Sequence, residues 1–431
     1  MTRELRDSGV AWLGDTPAGW PVVPARALFG ERKQKSLATD VHLTPSQKYG
    51  VLPQAEYMET TGSKVVLNLS GADNMRHVEA GDYVSHLRSF QGGLEFASIP
   101  GKVSAAYTVL KPKVALDPRF FKYLFKSDLY IQALQTTTDQ LRDGQSIRYG
   151  QFALIPLPRP AIEEQRVIAD YLDRETAQID AFIAKNEELI ALLAERRASQ
   201  IARAVSRGLD ASFHLVDAPK LASGTMPAHW SLTPLKRAVG YQEGPGIMAA
   251  DFRDAGVPLL RISSVNTATA TLEGCNFLDP DLVRDRWSRF RVALGDLLIS
   301  ASASMGTIAE VATDDVVGAV PYTGIIRISQ GKMLRDFAKW FFISEEFLMQ
   351  VEALKTGSTI QHFGPSHLGQ MWVGLPPVSE QRAIAARLRH STARIDESIR
   401  IAERGVTLAR ERRTALITAA VTGKVDVGVA A

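Results

Sequence analysis

Apolar residues recur every three or four positions along one long stretch, Pro160 to Asp210: Ile168, Leu172, Ile179, Phe182, Ile183, Leu189, Ile190 and Leu193. That period marks one face of an amphipathic helix, and no Gly or Pro interrupts it before Gly208. At 1.5 Å per residue the helix runs roughly 60 to 70 Å, longer than a small domain is wide. A stripe of that length needs a partner of its own length.

The chain supplies one. Shifted by 216 residues, Pro376 to Asp426 repeats the pattern without a gap, and about 21 of 51 positions are identical. Glu164-Gln165-Arg166 returns as Glu380-Gln381-Arg382, Ile179-Asp180 as Ile395-Asp396, and Glu195-Arg196-Arg197 as Glu411-Arg412-Arg413. The chain is internally duplicated. Ahead of each stretch stands a Pro- and Trp-containing leading segment, Trp12 to Phe29 and Gly224 to Val239, with Pro17, Ala18 and Trp20 matched by Pro227, Ala228 and Trp230. Prolines keep these segments extended, and each Trp is expected to close over a core.

Between them, residues 30–150 and 240–357 carry short β-rich runs such as KVVLNL, AYTVLKP, PLLRIS, DLLIS and TGIIRIS, with turn residues between. Gly81-Asp82-Tyr83-Val84-Ser85 parallels Gly295-Asp296-Leu297-Leu298-Ile299, and Tyr107-Thr108 parallels Tyr322-Thr323. One short helix is expected in each half (FFKYLFKSDLYIQAL and DFAKWFFISEEFLMQVEAL), followed by Gly144 to Ile147 and Gly357 to Ile360. The expected fold is α+β: two mixed α/β globules separated by two long antiparallel helices, an intramolecular coiled coil with pseudo-two-fold symmetry. The expected spans are 1–158, 159–212, 213–375 and 376–431.

Composition adds limits. Hydrophobic content of 45% and charged content of 23% suit a soluble globular protein, and a net charge of +3 permits a nucleic-acid partner without arguing for one. The single cysteine, Cys275, excludes internal disulfides and Cys-rich zinc sites. With no apolar run at the N-terminus and no 18-residue apolar stretch, neither signal peptide nor membrane span is expected, and the expected location is cytoplasmic. No G-x-x-x-x-G-K-[ST], G-x-G-x-x-G or Asn-Pro-Pro-aromatic motif is present, and His362 and His367 are too poorly spaced to share a helix face. Asp279, Asp281 and Asp285 read as a turn and a helix start. No nucleophile with a base and an orienting group emerges. These absences favour a binding protein.

Candidate DNA contacts are basic and aromatic residues in loop-like stretches, since Arg and Gln contact base edges bidentately and Gly lets backbone approach phosphate. In the first half they are Arg88, Ser89, Phe90, Gln91, Gly92 and Lys102, then Arg142, Gln145, Ser146 and Arg148 at the mouth of the helix. In the second half Arg284, Arg286, Arg289 and Arg291 interleave with Trp287 and Phe290, and four arginines in eight residues are a stronger signal than the net charge. Arg261 and a second helix mouth with Lys355, Ser358, Thr359, Gln361 and His362 complete the set. For any one of these, a solvated face or a structural ion pair is an equally good account. For two half-alike heads on a rigid spacer, DNA is the better one.

The chain resembles the specificity subunit of type I restriction-modification systems over essentially its whole length. The resemblance rests on Trp12 to Trp20, on Leu375-Pro376-Pro377 leading into Glu380-Gln381-Arg382, on Gly357-Ser358-Thr359, and on Ala420 to Asp426. It implies two target recognition domains, each reading one half of a bipartite sequence in double-stranded DNA, with the paired helices as a ruler for the spacer. It implies docking of two methyltransferase (M) subunits, which carry S-adenosylmethionine, and of motor-nuclease (R) subunits, which use ATP and Mg. This chain would hold no cofactor and be catalytically silent. Two rivals are a coiled-coil scaffold with protein-binding heads and a DNA enzyme with an unfamiliar active site.

Overall fold

The computed structural model describes residues 4–63, 74–85, 93–136, 147–301, 307–354 and 364–427. Two helices dominate, a central one over Ile162–Arg207 and a terminal one over Val378–Val421. The chain divides into two units, residues 1–187 with 403–431, and residues 188–402, so each unit holds one head and part of each helix.

The first head opens with the hairpin Leu5–Asp7 and Asp15–Pro17, then the strand Val22–Pro24, which pairs with Pro156–Pro158 immediately ahead of the central helix. Its main sheet is antiparallel. Strands β1 (Phe29–Glu31), β2 (Tyr83–Ser85), β3 (Leu94–Phe96) and β4 (Val109–Pro112) lie in the order β1-β4-β2-β3. Phe29, Tyr83, Phe121, Phe125 and Phe152 meet edge-on or tilted beneath it, geometries that ring quadrupoles favour. Two small pairs, Leu43–Ser46 with Gly50–Pro53 and Arg76–Val78 with Gly101–Val103, lie outside that sheet.

The second head repeats the plan. Leu215–Asp217 pairs with Thr225–Pro227, and Ser231–Pro234 pairs with Trp372–Leu375 ahead of the terminal helix. Strands β5 (Gly240–Glu243), β9 (Leu297–Ser300), β10 (Ile308–Glu310) and β12 (Ile325–Ser329) form an antiparallel sheet in the order β5-β12-β9-β10, the topology of the first head. Beyond it the heads part. The second head adds a mixed sheet of β6 (Phe252–Arg253), β7 (Val257–Leu260), β8 (Asn276–Leu278) and β11 (Val320–Pro321), ordered β6-β8-β7-β11, with β7 and β11 parallel.

The repeated Glu-Gln pair now has a physical account. Trp20 Nε1 donates to Glu164 Oε2 at 2.9 Å, and Trp230 Nε1 donates to Glu380 Oε2 at 3.0 Å. Gln165 is fully buried, accepting from the Asp117 amide and donating to the Pro160 carbonyl. Gln381 does the same with the Leu334 amide and the Pro376 carbonyl. Each helix start is thereby locked to its own head by buried hydrogen bonds, which are costly to leave unmade.

Each long helix ends on a glycine with φ near +75°, where a Cβ would be strained and crowded. Gly423 lies against Pro17 and Trp20, and Gly208 against Glu380, Phe213 and Trp230. Within the first unit the helices run antiparallel, with Arg413 bonded to Asp180 and Arg410 to Glu187. In the second unit Arg197 pairs with Asp396, the duplicate of the first of these contacts.

Two expectations need correction. Phe182 and Leu189 are exposed rather than in the buried stripe, because the seam follows their neighbours Ile183 and Ile190, and adjacent helical positions stand 100° apart. The single short helix in each head is two helices, Pro118–Phe125 with Asp128–Thr136 and Arg335–Phe342 with Glu345–Leu354. The break falls at buried Ser127 and Ser344, whose hydroxyls bond back to the carbonyls of Leu124 and Phe341.

Candidate nucleic-acid interface

In the second head, the mixed sheet packs on its own apolar cluster of Ile247, Leu259, Leu278, Val283, Trp287 and Val320, flanked by Phe252, Phe290 and Tyr322. The segment Val283–Trp287 forms one widened helical turn. Val283 and Trp287, four apart, face inward, which leaves Arg284 and Arg286 exposed on the other side. The structure therefore makes Trp287 a core residue, and it is not available as a stacking surface. Asp279 caps the short helix Pro280–Leu282, just ahead of that turn, by accepting from the amides of Asp281 and Leu282, as expected of a turn and a helix start.

The arginines differ in what holds them. Arg284 is tied to Asp281 at 2.8 Å, both exposed, so solvent screens the pair. Arg286 makes no bond to any described residue. Arg289 lies over the Phe290 ring at 4.8 Å, and Arg291 Nε donates to the Gly318 carbonyl. Arg327, on β12, donates to the Arg291 and Arg289 carbonyls and to Gln242, so it braces the backbone that carries the cluster.

Arg261 follows β7. Its guanidinium carbon stands 4.3 Å from the Tyr322 ring centroid and 5.7 Å from that of Phe252. Its Nη1 is sealed from solvent with no hydrogen-bond partner among the described residues. Phe252 and Tyr322 were not among the residues expected from sequence. They lie nine and 61 positions from Arg261, and no local pattern joins them.

In the first head Lys102, on the small pair, is half-buried beside His42, whose pKa is lowered by burial and by the Lys102 charge. Arg148 is exposed at the start of the turn Tyr149–Phe152, its amide bonded to the Gln151 side chain. A cleft of about 580 Å³ in the first unit gathers Lys48, Lys122 and Lys126 around Glu95, with Lys126 2.6 Å from the Glu95 carboxylate. Sequence reasoning missed this cleft, since its lysines come from separate segments. Arg88, Ser89, Phe90, Gln91, Gly92, Arg142, Gln145, Ser146, Lys355, Ser358, Thr359, Gln361 and His362 lie outside the described residues.

Among the described residues no group of three or more His, Cys, Asp or Glu could hold a metal ion. No described helix is long and apolar enough to cross a membrane. The arrangement offers cationic and aromatic groups.

No protein-family model matches the chain. It is similar to the type I restriction enzyme MjaVIII specificity subunit of Methanocaldococcus jannaschii, 23% identical over 283 residues, covering 64% of this chain and 63% of that one. It is also similar to the EcoKI specificity subunit of Escherichia coli K12, 23% identical over 67% of this chain and 61% of that one. The matches thus span less than two thirds of the length of these curated relatives. In fold it matches a chain solved in work on complex assembly and conformational transition of the type I R-M system, with a TM-score of 0.73 over 95% of this chain and 99% of that one at 14% identity. It also matches the HsdS subunit of Thermoanaerobacter tengcongensis, with a TM-score of 0.54 over 95% and 98% at 15% identity.

Proposed function

We propose that this chain is the specificity subunit of a type I restriction-modification complex, a sequence-specific DNA-binding protein without catalytic activity of its own. One observation carries the reading: a framework of anchors, helix pair and sheet built twice, under outer segments that differ between the two heads. Two different readers on one repeated frame suit a bipartite target. Each head reads one half, and the paired helices set the spacer. Because the second head binds at high effective concentration once the first is engaged, two modest recognitions add up to a tight one.

The duplication also bears on partners. About half of the positions identical in the two helix stretches are buried in both, which packing explains. Arg166 and Arg382, Leu192 and Leu408, Glu195 and Glu411, and Arg196 and Arg412 are identical yet exposed, and the charged ones make no bond to any described residue. A surface kept the same twice, with no use inside the chain, fits two copies of one partner. We assign it to two methyltransferase subunits that carry S-adenosylmethionine. Motor-nuclease subunits using ATP and Mg join them, in the cytoplasm.

The test is to purify the tagged chain from its own cells and assay the eluate for S-adenosylmethionine-dependent methylation of DNA. Co-purified methyltransferase that places methyl groups in one interrupted sequence is the expected result. Partners without methylation activity would overturn it and favour a scaffold with protein-binding heads.

A further inference from the structure

Arg261 has two rings beside its guanidinium, Phe252 and Tyr322, where Arg289 has one and Arg284 is tied to an acid. Tyr322 is brought beside Arg261 by its amide, which donates to the Leu260 carbonyl at 3.0 Å. The backbone of Arg261 is fixed as well. Its amide donates to Ser264 Oγ at 3.1 Å, and its carbonyl accepts from the Ser264 amide at 2.9 Å. Among the described residues no carboxylate pairs with it, and the sealed Nη1 has no partner there.

A donor left unsatisfied inside a protein is uncommon and calls for a reason. A guanidinium with a structural role is ordinarily paired with a carboxylate, and none among the described residues is placed here. The side chain is instead stiffened between two aromatic faces, with the remaining nitrogens of the fork unbonded. Such a group has little rotamer freedom left to lose on binding, and with Nη1 sealed the parallel donors it can offer are Nε–H and Nη2–H.

We infer that Arg261 is a specificity-determining residue of the second head, reading the O6 and N7 edge of one guanine in the major groove, with Tyr322 as its positioning residue. This rests on the reading of the chain as a DNA specificity subunit. A guanine edge offers two acceptors matching the fork; a phosphate can accept from it bidentately too but carries no sequence, so the two are told apart by whether base preference is lost.

The experiment selects DNA from a randomised library with the purified complex carrying wild-type chain, Arg261→Lys or Tyr322→Leu, with thermal unfolding run alongside. The wild type should enrich one interrupted sequence. Arg261→Lys should keep the fold and the other positions while losing guanine preference at one position of one half, by about ten- to a hundredfold. Tyr322→Leu should relax the same position to a smaller degree. An unchanged sequence with Arg261→Lys, or affinity falling equally on all sequences, would overturn the inference and leave the DNA reading intact. A wild type that enriches nothing would overturn the DNA reading itself, and the inference with it.

Discussion

The two heads share a four-stranded sheet of one topology and a helix start locked by the same Trp–Glu and Gln–amide contacts. They differ in what is added outside it. The first carries two two-stranded pairs packed on a cluster with Leu43, Val51, Val78 and Val103, while the second carries a four-stranded mixed sheet on a different apolar cluster, with its ring-held arginine. A duplicated protein that needed both heads for the same task would have had reason to keep both surfaces. Here the parts that hold have stayed alike and the parts that face outward have diverged. The framework and the surface proposed to read DNA are separate layers of the same domain.

The comparison can be broken most forcefully in the helix seam. Leu172 and Leu388 are equivalent and fully buried, so each truncation to Ala should cost about 2 to 5 kcal/mol. Hydrogen exchange is the readout. Leu172→Ala should loosen residues 1–187 and 403–431, and Leu388→Ala should loosen 188–402. Loosening spread evenly over both units would contradict the division.

Next in size are the buried glutamines. Gln165→Leu strands the Asp117 amide and Gln381→Leu strands the Leu334 amide, each costing about 2 kcal/mol in denaturant unfolding. Equal losses would support equivalent anchors, and a loss in one half alone would not. Smaller again are the exposed pairs. Arg413→Ala and Arg197→Ala should each lose less than about 1 kcal/mol, and the loss should fade in high salt.

The weakest signal is a slope, and it belongs to the first unit. Burial raises the Glu95 carboxyl above its usual range, outweighing the attraction of Lys126. The folded protein therefore takes up this proton at higher pH than the unfolded chain. The stability it contributes is present below the ordinary carboxylate range and is lost as pH rises through the raised value. Glu95→Gln, which cannot titrate, should gain on the wild type over that rise in unfolding titrations. A flat difference would mean that burial and the Lys126 pairing cancel, and a loss over that rise would mean that the pairing prevails.

The framework was legible in the sequence because duplication wrote it twice. A three-to-four apolar period and repeated Pro, Trp, Glu and Gln are local signals, and the antiparallel pairing of the helix segments in each unit follows from them. The two-stage helices were not legible, because Ser127 and Ser344 interrupt the helix by bonding backward, which no apolar pattern records. The reading surface was the least legible. Four arginines in eight residues stood out, yet the fold buries Trp287 among them and ties Arg284 to Asp281. The better placed Arg261 owes its setting to Phe252 and Tyr322, brought beside it only by folding.

The most direct test of a framework that holds and spaces, distinct from surfaces that read, is to shorten both long helices by four residues and map the DNA sequence the complex methylates. Four residues remove roughly 6 Å of each helix, about two base pairs of DNA. The account predicts both half-sequences unchanged and the spacer between them altered. An unaltered spacer, or a change in either half-sequence, would contradict it.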